Sequence, residues 1–263
     1  IMPFLYESRQ HKRSSRESLD CALALQELVS MGVDNIITFD AHDPRVQNAI
    51  PLHGFETVQP AYQFIKGLLR NVKDLQLDSN HMMVISPDEG GMGRCIYYSS
   101  VLGLELGMFY KRRDYSTIVN GKNPIVAHEF LGDNIDGKDV IIIDDMISSG
   151  GSMLDTAKQL KAMNAKRVYI CCTFGLFTDG LDRFDEAYEK CYFDKVVTTN
   201  LTYQLPELKS KPYYLEADMS KFLASIIDFM NHDSSMMNVY TPTEKIQEIL
   251  AKYNNRENMY ITE

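Results

Sequence analysis

Two adjacent carboxylates, Asp144 and Asp145, stand between the apolar run Val140-Ile141-Ile142-Ile143 and the run Ser148-Ser149-Gly150-Gly151-Ser152. Backbone N–H groups, serine hydroxyls and a helical pattern beginning at Met153 make the second run a cradle for a phosphate monoester. The acids repel phosphate and so cannot be there to hold it. They suit ribose hydroxyls or a bound Mg2+. A strand, a polar turn and an N-capped helix would explain the glycine pair alone. Hydrophobic strand, double acid and Ser/Gly loop in that order are what a sugar-phosphate site requires.

Other stretches offer related chemistry. Ser86-Pro87-Asp88-Glu89-Gly90-Gly91 is a second acidic glycine loop, whose N–H groups can hold a diphosphate while Asp88 reaches a metal. A turn at a helix N-terminus is the plainer account of it. Tyr110-Lys111-Arg112-Arg113 places cations after a strand, and Lys111 and Arg113 alternate to the same side of an extended chain. Two such cations can stabilise one transferring phosphoryl group, although a charge run is usually a solvated face. Asp40-Ala41-His42 also follows a strand, but a lone His is more often structural than a Mg2+ ligand, because that ion prefers oxygen. Arg9-Gln10-His11-Lys12-Arg13 is either a nucleotide contact or an exposed basic loop.

The elements that must position these groups alternate between strand and helix. Strands are expected at 1–6, 35–39, 82–86, 104–110, 140–143, 167–173 and 195–198. Helices are expected at 18–31, closed by Gly32, and at 58–72, 94–102, 153–163 and 220–231. Continuous Val/Ile runs read as strands buried on both faces, so the sheets should be mainly parallel. The polar groups then fall at strand carboxyl ends, where open α/β sheets place ligands. Residues 114–137 read as a loop and a hairpin. A short terminal helix over 241–253 reads as a candidate interface element.

Composition narrows the classes. A net charge of −9 argues against a nucleic-acid surface. No apolar run approaches the ~20 residues of a membrane-spanning helix. The five cysteines lack CxxC spacing, and Cys171 and Cys172 sit in an apolar run, which fits a reducing cytoplasm. Ile1-Met2-Pro3-Phe4-Leu5-Tyr6 looks like the end of a buried strand, so a preceding segment is expected to be missing.

The Asp144–Ser152 string resembles the 5-phosphoribosyl diphosphate (PRPP) motif of type I phosphoribosyltransferase folds. Five matches in order, Arg9-Gln10, Asp40-Ala41-His42, Ser86–Gly91, Lys111-Arg112-Arg113 and Asp144–Ser152, resemble the ribose-phosphate pyrophosphokinases, or PRPP synthetases, from about Met2 to Asn231. The resemblance implies two α/β phosphoribosyltransferase-like domains with mainly parallel sheets, the first truncated. Residues 1–58 with a returning helix in 213–231 would form the first domain, 59–212 the second, and 232–263 a C-terminal extension. It also implies transfer of the diphosphoryl group of ATP to the 1-hydroxyl of ribose 5-phosphate, with Mg2+, in a cytoplasmic homo-oligomer, a hexamer, that binds neither nucleic acid nor membrane.

By the same resemblance, Arg9 and Gln10 meet ATP, and His42 and Asp88 serve Mg2+. Asp88, Glu89, Gly90 and Gly91 form the diphosphate loop. Lys111 and Arg113 are catalytic, with Arg113 also on the sugar phosphate. Asp144 and Asp145 hold the ribose, and Ser148, Ser149, Gly150, Gly151 and Ser152 hold its 5-phosphate. The chain departs from the family in lacking an upstream ATP-contacting loop, in His11 where an acid is usual, in Pro51 and Phe55 near further acidic metal-site positions, and in a longer tail. The competing readings are a salvage phosphoribosyltransferase that uses PRPP, and a non-catalytic regulatory homologue or inactive fragment.

Overall fold

The computed structural model describes residues 1–10, 18–113, 125–236 and 242–255, without the side chains of 111–113 and 125–128. Helices α1 (Asp20–Ser30), α2 (Ala61–Asn71), α3 (Met92–Leu102), α4 (Gly151–Ala162), α5 (Asp182–Glu189), α6 (Ser220–Asn231) and α7 (Thr243–Asn254) alternate with strands. The strands are β1 (Asn35–Phe39), β2 (Gly54–Val58), β3 (Met82–Ser86), β4 (Glu105–Arg113), β5 (Ile125–Leu131), β6 (Asp139–Ile147), β7 (Val168–Gly175), β8 (Lys195–Thr199) and β9 (Tyr214–Ala217).

Seven of them form one sheet in the order β5-β4-β3-β6-β7-β8-β9, parallel apart from the β4–β5 hairpin. The Val/Ile runs are buried on both faces, as a parallel sheet demands. Met83, Ile85, Val140, Ile142, Val168 and Ile170 enter one core with Met153, Ala157 and Leu160 of α4 and Phe184 of α5. The alternate residues Met82, Val84, Ile141, Ile143, Tyr169 and Cys171 enter the other. There they meet α2, whose Ala61, Phe64, Ile65, Leu68 and Leu69 lie at the spacing of one helical stripe. From β3 the chain moves outward to β4, and from β6 it moves outward the other way, so the order reverses between β3 and β6. That reversal is where such sheets open a ligand crevice.

β1 and β2 form a separate two-stranded parallel sheet. Two strands alone are marginal in water, and this pair is covered from two sides. Ile36 packs with Cys21 and Leu25 of α1, while Ile37, Phe39 and Val58 pack with Met219 and Ile226 at α6. α6 thus packs on this smaller sheet.

Several expected elements differ. Residues 1–6 are not a strand: Met2 N–H donates to Ile37 O at 2.8 Å and Phe39 N–H to Pro3 O at 3.2 Å, after which the chain turns. Pro3 has no N–H with which to continue a ladder. The helix expected from Val58 starts at Ala61, after Pro60, and Val58 instead ends β2. Residues 214–217, expected with the returning helix, are the seventh strand of the large sheet. The terminal helix α7 is not left facing outward: Ile246, Ile249 and Leu250 are buried in the α2/α3 core, and Gln247 Nε2 donates to Val101 O at 2.6 Å. Residues 11–17 and 114–124 of the basic loop and the expected hairpin loop lie outside the described residues.

The start of α6 is held by Asp218, whose Oδ1 accepts from Ser220 N at 2.9 Å, Ser220 Oγ at 2.6 Å and Asn200 Nδ2 at 2.8 Å. The Ser220 hydroxyl, then its N–H and Asn200, hold this carboxyl below its ordinary range. Such a depressed acid stabilises the fold above its unfolded-state pKa, and the contribution is lost as pH falls through the folded-state value. Asp218→Ala should cost about 1 kcal/mol at neutral pH, as loss of a helix-start acceptor does. In urea titrations the gap from wild type should close in acid; a gap independent of pH would reject the ionised acceptor.

Candidate active site at the carboxyl ends of β3 and β6

A cleft of about 240 Å³ opens at the switch point. It is lined by Arg9, His42, Asp88, Gly90, Gly91, Arg94 and the continuous stretch from Asp144 to Met153. Residues from both sheets therefore meet there: Arg9 and His42 flank the small sheet, Asp88 follows β3 and the tandem acids lie near the end of β6. β3 pairs with β6 only as far as Ile142, whereas β6 continues alongside β7 to Ile147. Asp144 and Asp145 thus stand clear of β3, with room for a ligand above its end.

The Ser/Gly loop is shaped by packing as well as by its own residues. Gly150 has φ +79°, and a Cβ there would stand 2.3 Å from a Phe184 ring carbon. No side chain caps α4, whose first residues follow Gly150 directly. The loop carbonyls are tied back, Ile147 O accepting from Leu176 N at 2.9 Å and Ser148 O from Thr178 N at 3.0 Å. The uncapped start of α4 is suited to an anion, with the helix dipole behind it. At the second loop, Asp88 Oδ1 accepts from Gly90 N at 3.0 Å, and a Cβ on Gly91 would crowd Ser86 Oγ at 2.9 Å. This loop leads into α3.

Arg94, on the first turn of α3, is the charge centre of the site and was missed in the sequence. It is 8% exposed. Its Nε donates to Asp40 Oδ1 at 2.7 Å, and its terminal nitrogens lie 3.5 Å from Asp144 and 3.8 Å from Asp145. Burial disfavours its charge, but these three carboxylates outweigh burial and raise its pKa. A cation in a first helical turn opposes the helix dipole, but that alone does not distinguish it from a solvated surface residue, and its partners are distant in sequence. Asp40 itself and Thr173, whose Oγ donates to Asp40 at 2.6 Å, were also missed as a pair.

The tandem acids are not equivalent. Burial pushes Asp145 up, yet a hydrogen bond to His42 and the charge of Arg94 leave it below the ordinary carboxylate range. Asp144 stands well above that range, through burial and then repulsion by Asp145. His42 Nδ1 lies 3.0 Å from Asp145 Oδ2, and that bond raises the imidazole pKa despite partial burial.

Gln10 and Glu89 do not line this cleft, although both lie beside residues that do. Lys111 and Arg113 continue β4 beyond Met108, the last residue paired with β3, and the pairing with β5 shifts between Arg112 and Arg113. Their side chains lie outside the described residues.

Among the described residues, no cluster of three His, Cys, Asp or Glu side chains could hold a metal by itself. The donors fit a Mg2+ carried by substrate phosphates, which takes few protein ligands and prefers carboxylate oxygens such as those of Asp88. A metal at His42 would have to meet Nε2, since Nδ1 faces Asp145.

A mainly parallel sheet with an acidic pair and an uncapped helix start at its switch point defines the class of open α/β proteins that bind ligands there. The sequence model of the Phosphoribosyl transferase domain matches residues 55–209, more than half of the chain, and the chain belongs to that family. Curated relatives named ribose-phosphate pyrophosphokinase include one from Ureaplasma parvum, 28% identical over 198 residues, and one from Corynebacterium glutamicum, 30% identical over 208. These alignments cover 74% and 79% of this chain but 56% and 60% of the relatives, so the chain spans under two thirds of their length. The crystal structure of phosphoribosylpyrophosphate synthetase from Mycobacterium smegmatis shares the fold, with TM-score 0.71 and 23% identity over 88% of this chain and 70% of that one.

Proposed function

We propose that this chain carries the ribose 5-phosphate site of a ribose-phosphate diphosphokinase, which moves the diphosphoryl group of ATP to the 1-hydroxyl of ribose 5-phosphate and releases PRPP and AMP. The observation that carries the reading is the meeting of Arg9 and His42 with Asp88, the tandem acids and the Ser/Gly loop in one cleft. A salvage enzyme needs the sugar-phosphate half of that set but not Arg9.

In this reading Ser148 to Ser152 bind the 5-phosphate through N–H and hydroxyl donors, and Asp144 and Asp145 accept from the ribose hydroxyls. The Asp88–Gly91 loop holds the diphosphate, and Arg9 with Gln10 meets the nucleotide. Mg2+ would be held by Asp88 with His42 and would neutralise charge on the phosphates. Lys111 and Arg113 stabilise charge on the group in transfer, with Arg113 also on the sugar phosphate. A homo-oligomer, hexameric as the family resemblance implies, and a cytoplasmic setting complete the proposal. The cytoplasm fits the five free cysteines, of which four are buried. No helix among the described residues is long and apolar enough to cross a membrane.

Mass spectrometry of products from ATP, ribose 5-phosphate and Mg2+ tests it. AMP with PRPP is expected; consumption of PRPP and a base, without AMP release from ATP, would favour the salvage reading. The two halves of the sugar site should also separate. Asp144→Asn and Asp145→Asn should weaken ribose and ribose 5-phosphate alike, whereas Ser149→Ala should weaken mainly ribose 5-phosphate, by roughly fivefold for one hydrogen bond of about 1 kcal/mol. Calorimetric titrations with both sugars check this. If Ser149→Ala leaves the preference for the phosphorylated sugar intact, the cradle is misplaced.

A further inference from the structure

Asp40 directly follows β1 with φ +40°, a conformation that residues other than glycine seldom hold without support, and its side chain is buried. Both carboxylate oxygens are engaged, Oδ1 by Arg94 Nε at 2.7 Å and Oδ2 by Thr173 Oγ at 2.6 Å. The same guanidinium faces Asp144 and Asp145 at 3.5 and 3.8 Å. Asp145 in turn meets His42, two residues beyond Asp40. One buried cation therefore links the small sheet, through Asp40, to the acids of the large sheet, and His42 joins them directly through Asp145.

The distances are unequal in a way that bears on function. The bond to Asp40 is a full hydrogen bond, while 3.5 and 3.8 Å are beyond a good one. Arg94 is thus committed to Asp40 and holds the tandem acids electrostatically, leaving their oxygens able to take hydroxyl donors. Its planar fork spreads five donors over three nitrogens in fixed directions, where a lysine ammonium would be a single point charge. Resting on the proposed sugar site, we infer that Arg94 is a positioning residue that sets Asp144 and Asp145 for the sugar and transmits sugar occupancy to the Asp40–His42 end of β1. The sugar hydroxyls immobilise the acids, the acids fix the guanidinium, and the guanidinium fixes the strand end that carries His42 into the cleft.

Amide hydrogen exchange with and without ribose 5-phosphate tests this on the whole chain. In the wild type, sugar should slow exchange in the loop 148–152 and also, by about fivefold or more, in residues 36–42. Thr173→Val, which removes the other anchor of Asp40 but leaves Arg94 and every acid in place, should keep the responses at both 148–152 and 36–42. Arg94→Lys, at saturating sugar, should keep the response at 148–152 and lose most of that at 36–42, with weaker sugar affinity. A merely structural Arg94 would leave the sugar-induced change at 36–42 intact in Arg94→Lys, whatever happened to basal exchange, and would overturn the inference. So would a wild type with no change at 36–42. AMP release from the same samples reads the proposed reaction separately. A responding network without AMP sinks the diphosphoryl transfer alone, and AMP without the response sinks the inference alone.

Discussion

Lys111→Ala should cut turnover by about a hundredfold or more while leaving ribose 5-phosphate affinity within about twofold of wild type. One charge contact made only in the transition state supplies on the order of 3 kcal/mol. Its loss lowers kcat and kcat/KM together, without the rise in KM that marks a ground-state contact. The role proposed for Lys111 rests on the course of the backbone. β4 runs on past the end of its pairing with β3 at Met108 and pairs with β5 instead, so Lys111 lies on the part of the strand that outreaches β3. The 148–152 cradle, the proposed anchor of the sugar phosphate, belongs to the β6–α4 turn, which is why sugar affinity should be spared. Steady-state rates beside calorimetric sugar titrations decide it; near-normal turnover would reject the role.

Gly150→Ala should damage both stability and sugar-phosphate binding. The residue sits at φ +79°, in the left-handed region that costs a Cβ-bearing residue roughly 1–2 kcal/mol. The new Cβ would also stand 2.3 and 2.4 Å from two ring carbons of Phe184. That ring is buried and locked between Phe177, with centroids 5.0 Å apart, and Phe193, at 6.1 Å. It cannot swing aside cheaply, and overpacking adds about 1–3 kcal/mol. Together these should lower the melting temperature by roughly 5–15 °C for a chain of this size. Ribose 5-phosphate should bind more weakly than to wild type, because the N–H groups that follow Gly150 move. Scanning calorimetry with and without the sugar measures both, and a variant melting with wild type would show that the loop relaxes freely.

The sequence by itself determined what is local. The Val/Ile run, the two acids and the Ser/Gly loop are contiguous, so an apolar β-branched run followed by the conformational freedom of glycine reads as a strand, a turn and a helix start in that order. The same holds for β1 and β3, found at the expected residues, and for α6, found where a helix was expected. Short edge elements were not legible. β2 buries only Val58 fully, and β9 has four residues, so neither shows a pattern that a loop could not. Tertiary structure alone decided the electrostatics. Arg94 reads as an ordinary helix residue until the fold brings Asp40, 54 positions away, and both tandem acids around its guanidinium. It likewise decided that α7 closes a core rather than offering a surface, and that the adjacent acids differ, Asp145 held ionised by His42 and Arg94 while burial lifts Asp144. Those outcomes depend on burial and on charges brought close in space, which no local pattern of residues encodes.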